Sequence, residues 1–108
     1  MFIKKKQRKF AVWISWNYSN DPKLFEEQCV IYPARRRDKK QDGFNFVGRG
    51  GNEGAQFFIV NSLEDAIKQS GYNPFAIKFL KLRKKERIEK DNFLSRCVWN
   101  YEKGLIFT

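Results

Sequence analysis

The chain has 108 residues, a net charge of +10, no histidine, 42% apolar residues and 17% aromatics. That length supports one domain with one core, and the apolar content is enough to offset the entropy of ordering, which excludes a disordered tail. Uncharged apolar runs such as Phe57 to Val60 fall far short of the roughly 20 residues a membrane span needs.

The chain opens on a basic block, Lys4, Lys5, Lys6, Arg8 and Lys9, read as an N-terminal arm over residues 1–9 ahead of a single α+β domain over 10–108. Phe10 to Tyr18 then alternates, with Phe10, Val12, Ile14, Trp16 and Tyr18 on one side and Ala11, Trp13, Ser15 and Asn17 on the other. Aromatic and β-branched residues at period two predict a strand. This stretch is too short and lacks the small-residue cleavage pattern of a secretory signal, so a cytoplasmic location is expected. Asn20-Asp21-Pro22 has the composition of a helix start, and Lys23 to Ile31 reads as a short helix with Leu24, Phe25 and Cys29 on its inner stripe, ended by Pro33. Ala34 to Asp42 reads as a charged loop.

Gly43 to Gly48 and Ala55 to Val60 read as two strands joined by Arg49-Gly-Gly-Asn-Glu-Gly54, whose glycines suit a hairpin with positive backbone angles. Ser62-Leu-Glu-Asp65 predicts a capped helix start, and Gly71 its end. The following segment has two readings. Phe75, Ile77 and Phe79 alternate as in a strand, whereas Asn73-Pro74 opens a helix and Lys81 to Asp91 is rich in helix formers. Phe93 to Tyr101 alternates again, and Glu102-Lys-Gly104 turns it into a C-terminal hairpin. The expected fold is therefore α+β, a small antiparallel sheet with two or three helices in split-βαβ (ferredoxin-like) order plus a C-terminal hairpin. The alternative is a winged helix-turn-helix.

Charge is concentrated rather than spread. Residues 1–40 carry eleven Lys/Arg against four Asp/Glu, or +7; residues 41–77 carry two against four, or −2; residues 78–108 carry nine against four, or +5. A folded domain with this distribution has a basic face suited to a polyanion. The expected function is nucleic-acid binding, DNA or RNA, with the phosphate backbone gripped by Lys4, Lys5, Lys6, Arg8, Lys9, Arg35, Arg36, Arg37, Lys39, Lys40, Arg49, Lys78, Lys81, Arg83, Lys84, Lys85 and Arg87. Trp13 and Trp16 cannot share one side of a strand; Trp13 is the one expected on an open sheet face, where it would stack on a base.

Two local resemblances follow from these segments. Asp42-Gly43-Phe44-Asn45-Phe46-Val47 is similar to the octapeptide of RNA-recognition motifs at Gly43, Phe44, Phe46 and Val47. It departs from that pattern with an acid in the basic first position and Arg49 in place of the last aromatic. Leu63 to Ile77 resembles the helix-turn-helix of bacterial repressors, with Gly71 at the turn, although Ile67 stands where a small residue is usual. That resemblance implies Phe75, Lys78, Lys81 and Lys85 on or near the groove-facing side.

Other function classes have less behind them. The Gly48 to Gly54 stretch lacks the Gly-Lys-Ser/Thr ending of a nucleotide-binding loop. Asp38-Lys39-Lys40 matches the Asp-x-Lys fragment of metal-dependent nucleases but lies in a hydrophilic run. Cys29 and Cys97, without histidine or a CxxC pair, do not make an ordinary zinc site and are expected as buried free thiols; no metal or cofactor is called for. A regulator or inhibitor that sets its basic face against an acidic protein partner, and a small histidine-free ribonuclease, are the two alternative functions.

Overall fold

The computed structural model describes residues 8–18, 21, 23 and 25–107. Its centre is β1, Phe10–Asn17, a strand with apolar residues on both sides, as a central position requires. β2, Glu26–Pro33, runs antiparallel along one side of it, Phe10 opposite Pro33 and Asn17 opposite Glu26. β4, Glu53–Val60, runs antiparallel along the other, from Phe10 opposite Val60 to Asn17 opposite Glu53. β3, Phe44–Val47, forms the outer edge beside β4, and the two-residue β5, Lys78–Phe79, lies parallel to β2. The five-stranded sheet has the order β3-β4-β1-β2-β5.

One face of this sheet is the core. Phe10 and Val12 of β1, Cys29 and Ile31 of β2 and Val60 of β4 pack beneath Leu63, Ala66 and Ile67 of α1, Leu63–Ser70. Ser62 accepts a hydrogen bond from the Asp65 amide at 3.1 Å to start this helix, and Gly71 ends it at φ +62°. α2, Lys84–Leu94, adds Phe93, and a separate hairpin of β6, Cys97–Asn100, and β7, Gly104–Phe107, closes the layer. Phe107 meets Phe93 edge-on with ring centroids 5.3 Å apart.

Several expectations are corrected here. The segment read as a helix over 23–31 instead supplies β2, because Cys29-Val30-Ile31-Tyr32 alternates between the two sheet faces and gains a full ladder against β1. With a strand in second place, the element order runs four strands, helix, strand, helix and hairpin, not split-βαβ. The winged helix-turn-helix is not formed either: Gly71 is followed by a 3₁₀ turn over Pro74–Ala76 and by β5, and the next helix begins only at Lys84. Residues 75–82 are thus neither a full strand nor a helix. The charged stretch after β2 is a 3₁₀ helix, Arg36–Gln41, rather than an irregular loop. The last alternating run is shorter than expected, since Phe93 and Leu94 belong to α2. The capped helix, the β3–β4 hairpin and the C-terminal hairpin stand where the sequence puts them.

Glycine is required at two places in the β3–β4 hairpin for different reasons. Gly50 and Gly51 hold φ +76° and +75° at the tip. At Gly54 the constraint is space: a Cβ there would overlap the Trp16 ring and come within 2.7 Å of the Phe46 carbonyl oxygen. Trp16 also donates its indole N–H to the Gly51 carbonyl at 3.2 Å, tying the hairpin tip to β1.

Candidate functional site

The second face of the sheet carries no α-helix. Side-chain parity and register place Phe44, Phe57, Trp13, Val30 and Lys78 in one row across β3, β4, β1, β2 and β5. Trp13 stacks on Phe44 with an interplanar angle of 11° and ring centroids 6.5 Å apart, and tilts against Phe57 at 6.3 Å. Phe57 is 2% exposed and forms the floor, whereas Phe44 and Phe46 are each 48% exposed. The neighbouring row on one side is Phe46, Ala55, Ser15 and Gln28; on the other it is Ile59, Ala11 and Tyr32. The aromatic part of this face spans β3, β4 and β1, and the row continues through Val30 to the Lys78 cation at the far edge.

The basic 3₁₀ helix sits at one end of this surface. The chain must pass from β2 to β3 across β1 and β4, and Arg36–Gln41 packs against β4 as it does so. The Tyr32 hydroxyl, on the open face, feels the charges of Asp38, Arg35 and Arg37; burial first, and Asp38 next, raise its pKa. Asp38 is buried and structural: its carboxylate accepts from the Arg35 amide at 2.6 Å and lies 3.6 Å from Arg35 Nε. The nuclease-like Asp-x-Lys fragment therefore spends its acid on building a turn. That turn exposes Arg35, Arg36, Arg37, Lys39 and Lys40.

The remaining residues expected to bind divide between places. Lys78 ends the aromatic row at the far edge, and Lys81 follows β5 on that same border. Arg49 is exposed at the β3–β4 hairpin tip. Lys84, Lys85 and Arg87 are exposed on α2, in the layer on the opposite side of the sheet. Arg8 is engaged internally: its guanidinium pairs with Glu86 through both carboxylate oxygens, with Nε to Oε2 at 2.9 Å. Arg83 caps α2 through its backbone N–H, which donates to Glu86 Oε1 at 2.8 Å. Burial opposes ionisation of Glu86, but the Arg8 hydrogen bond, the Arg83 amide and the two positive charges outweigh it, so its pKa falls below the ordinary 4.5. Lys9 is exposed beside the start of β1, and Lys4, Lys5 and Lys6 lie outside the described residues.

Sequence reasoning missed Val30 because it lies within the helix expected over 23–31, and Tyr32 because it falls between that helix and Pro33; the alternation of Cys29 and Ile31 with Val30 and Tyr32 is the signal. The octapeptide-like segment does place Phe44 and Phe46 on the open face, but on the edge strand rather than a central one. A hollow of about 620 Å³ lies at the other end of β1 and β2, and its lining includes Glu26 and Glu27, the wrong charge for an anion. Cys29 and Cys97 are both free and buried; burial pushes the Cys29 thiol up to about 12.

The fold and surface together define a mixed α+β protein with a helical layer on one face of a five-stranded sheet and an open aromatic, basic-rimmed face on the other. Among the described residues no helix is long and apolar enough to cross a membrane. Comparison with known protein families, curated proteins and solved structures finds no match.

Proposed function

We propose that the protein binds single-stranded nucleic acid across the open sheet face. The observation that carries this reading is the row Phe44, Phe57 and Trp13, continued by Val30 to Lys78, with the Arg35–Lys40 turn at its rim. Every base has a π-face that can lie on an exposed ring, at roughly 1–3 kcal/mol per base. Phosphates between the bases then meet the rim cations. A duplex hides its bases and is read by an element that enters a groove, and the open sheet face presents strands rather than a projecting helix. The features used, rings and cations, are common to RNA and single-stranded DNA binding.

The test is a competition between RNA, single-stranded DNA and duplex DNA of one length at one ionic strength. Single strands are expected to win. With roughly five phosphates contacted, log K against log salt should fall with a slope of about −3.5, from about −0.7 per phosphate on a single strand. Phe44→Ala, which removes an exposed ring, should weaken binding by about fivefold or more. Equal affinity for duplex, a flat salt response, or an unchanged affinity in the Phe44 variant would each overturn the proposal.

A further inference from the structure

At the border where the aromatic rows meet the basic turn, Tyr32, Arg35, Leu80 and Lys81 line a hollow of about 180 Å³. It is formed by the end of β2 and the chain just past β5; the Leu80 amide donates to the Ile31 carbonyl at 3.0 Å, extending the β2–β5 ladder. Three of its four lining side chains are chemically suited to an anion. The Tyr32 phenol is protonated at neutral pH and can donate a hydrogen bond; burial and then Asp38 raise its pKa further above the ordinary 10. Arg35 lies within ion-pair distance of Asp38, its Nε 3.6 Å from Oδ2, and its side chain remains half exposed. Lys81, an exposed cation, is the fourth residue lining the same hollow.

The backbone at Lys81 is the second, independent observation. It stands at φ +56°, and among the described residues it is the sole non-glycine with a positive φ. Glycine or asparagine adopts that conformation with less strain, and residues held in sparsely populated backbone regions cluster at ligand clamps and active sites. Lys81 combines this conformation with a place in the lining of the hollow.

We infer that this hollow is a binding site for a single phosphoryl group. The inference rests on reading the open face as a nucleic-acid surface, where the group is a phosphate of the bound strand. The hollow lies one strand and two residues from Trp13, roughly 8 Å from it by sheet spacing, so a base on that ring and a phosphate in the hollow belong to one short stretch of strand. The phosphoryl oxygens accept from Tyr32 Oη, the Arg35 guanidinium and Lys81 Nζ.

The direct test uses inorganic phosphate as the probe. Amide resonances are followed in the full chain as potassium phosphate replaces potassium chloride at constant ionic strength. Tyr32, Arg35, Leu80 and Lys81 should shift saturably, and Lys81→Asn, which fits the left-handed backbone, should weaken this about tenfold. Lys81→Arg should retain it. The absence of a saturable shift, or an undiminished one in the Asn variant, overturns the inference whatever the protein does with nucleic acid. Oligonucleotides with a 5′-phosphate or a 5′-hydroxyl then identify the source. An advantage for the 5′-phosphate that vanishes in Lys81→Asn assigns the group to a strand end. An equal loss for both, with the salt slope shallower by about 0.7, assigns it to an internal phosphodiester. Phosphate shifts without strand binding would leave the hollow standing and remove the proposed function; strand binding that needs Phe44, without phosphate shifts, would do the reverse.

Discussion

Glu86→Gln isolates the contact that ties the start of the described chain to α2. The carboxylate is 9% exposed, accepts two hydrogen bonds from Arg8 and one from the Arg83 amide, and so serves both as partner of an ion pair and as a capping group. Glutamine keeps the volume and one acceptor oxygen, so the cap bond survives. What is lost is the charge-assisted, two-pronged contact with Arg8, a partly buried guanidinium then left without its counter-ion. Hydrogen bonds to charged groups contribute about 1.5–3 kcal/mol, and desolvation of the pair returns part of that; a net loss of about 2 kcal/mol at pH 7 is expected. For a domain of this size that lowers Tm by about 8–15 °C. The pH dependence provides the sharper check. The pKa of Glu86 is lowered in the folded state, so its contribution is fully present above the unfolded value of about 4.5 and is lost as pH falls through the folded one. Thermal melts by circular dichroism at pH 7, 5 and 3 should therefore show the gap between wild type and variant closing at the acid end. A gap that stays constant or widens toward pH 3 would refute the assignment of the ion pair as its source.

Further outcomes follow from other contacts. Gly54→Ala places a methyl group inside the Trp16 ring, and urea unfolding should show a loss of about 1–3 kcal/mol; full stability would mean that the hairpin is not closed over Trp16. Cys29 has its pKa raised to about 12 by burial, so at pH 8 it should react with a thiol reagent only as fast as the protein opens, and rapid labelling of the native chain would contradict its place in the core.

Legibility followed the strength of local signals. Ser62 and Gly71 bracket α1 as a cap and a left-handed stop, features that act within one turn and do not depend on the rest of the chain. β1 was readable because its alternation runs through eight residues, and Trp13 fell on the open face by parity alone. β2 was not. Asp21 and Pro22 have helix-start chemistry, and Asp21 does accept from the Lys23 amide at 3.0 Å, but pairing with β1 overrides local propensity from Glu26 onward. The site was legible in its charges and in Trp13, but not in its convergence. Lys81 is far in sequence from Tyr32 and Arg35 and joins them because β5 adds to β2 in parallel, a two-residue pairing that no local pattern announces. Arg8 shows the opposite limit: charge counting marks it as available, and only the fold reveals its engagement with Glu86.

β3 has a consequence for how the molecule behaves in bulk. One side of this strand has no neighbour in the sheet, and its four residues, Phe44-Asn45-Phe46-Val47, are exposed and uncharged. Such an edge is a template for pairing with another chain. What stands in the way is colloidal: a molecule of net charge +10 repels its copies over the screening distance, about 10 Å at 0.1 M salt. At about 1 M that distance shrinks to roughly 3 Å, shorter than the gap between paired strands. Concentrated salt should therefore turn a dispersed solution into one that sticks by its edges, and the cations that would hold a polyanion are also what keeps the protein apart from itself.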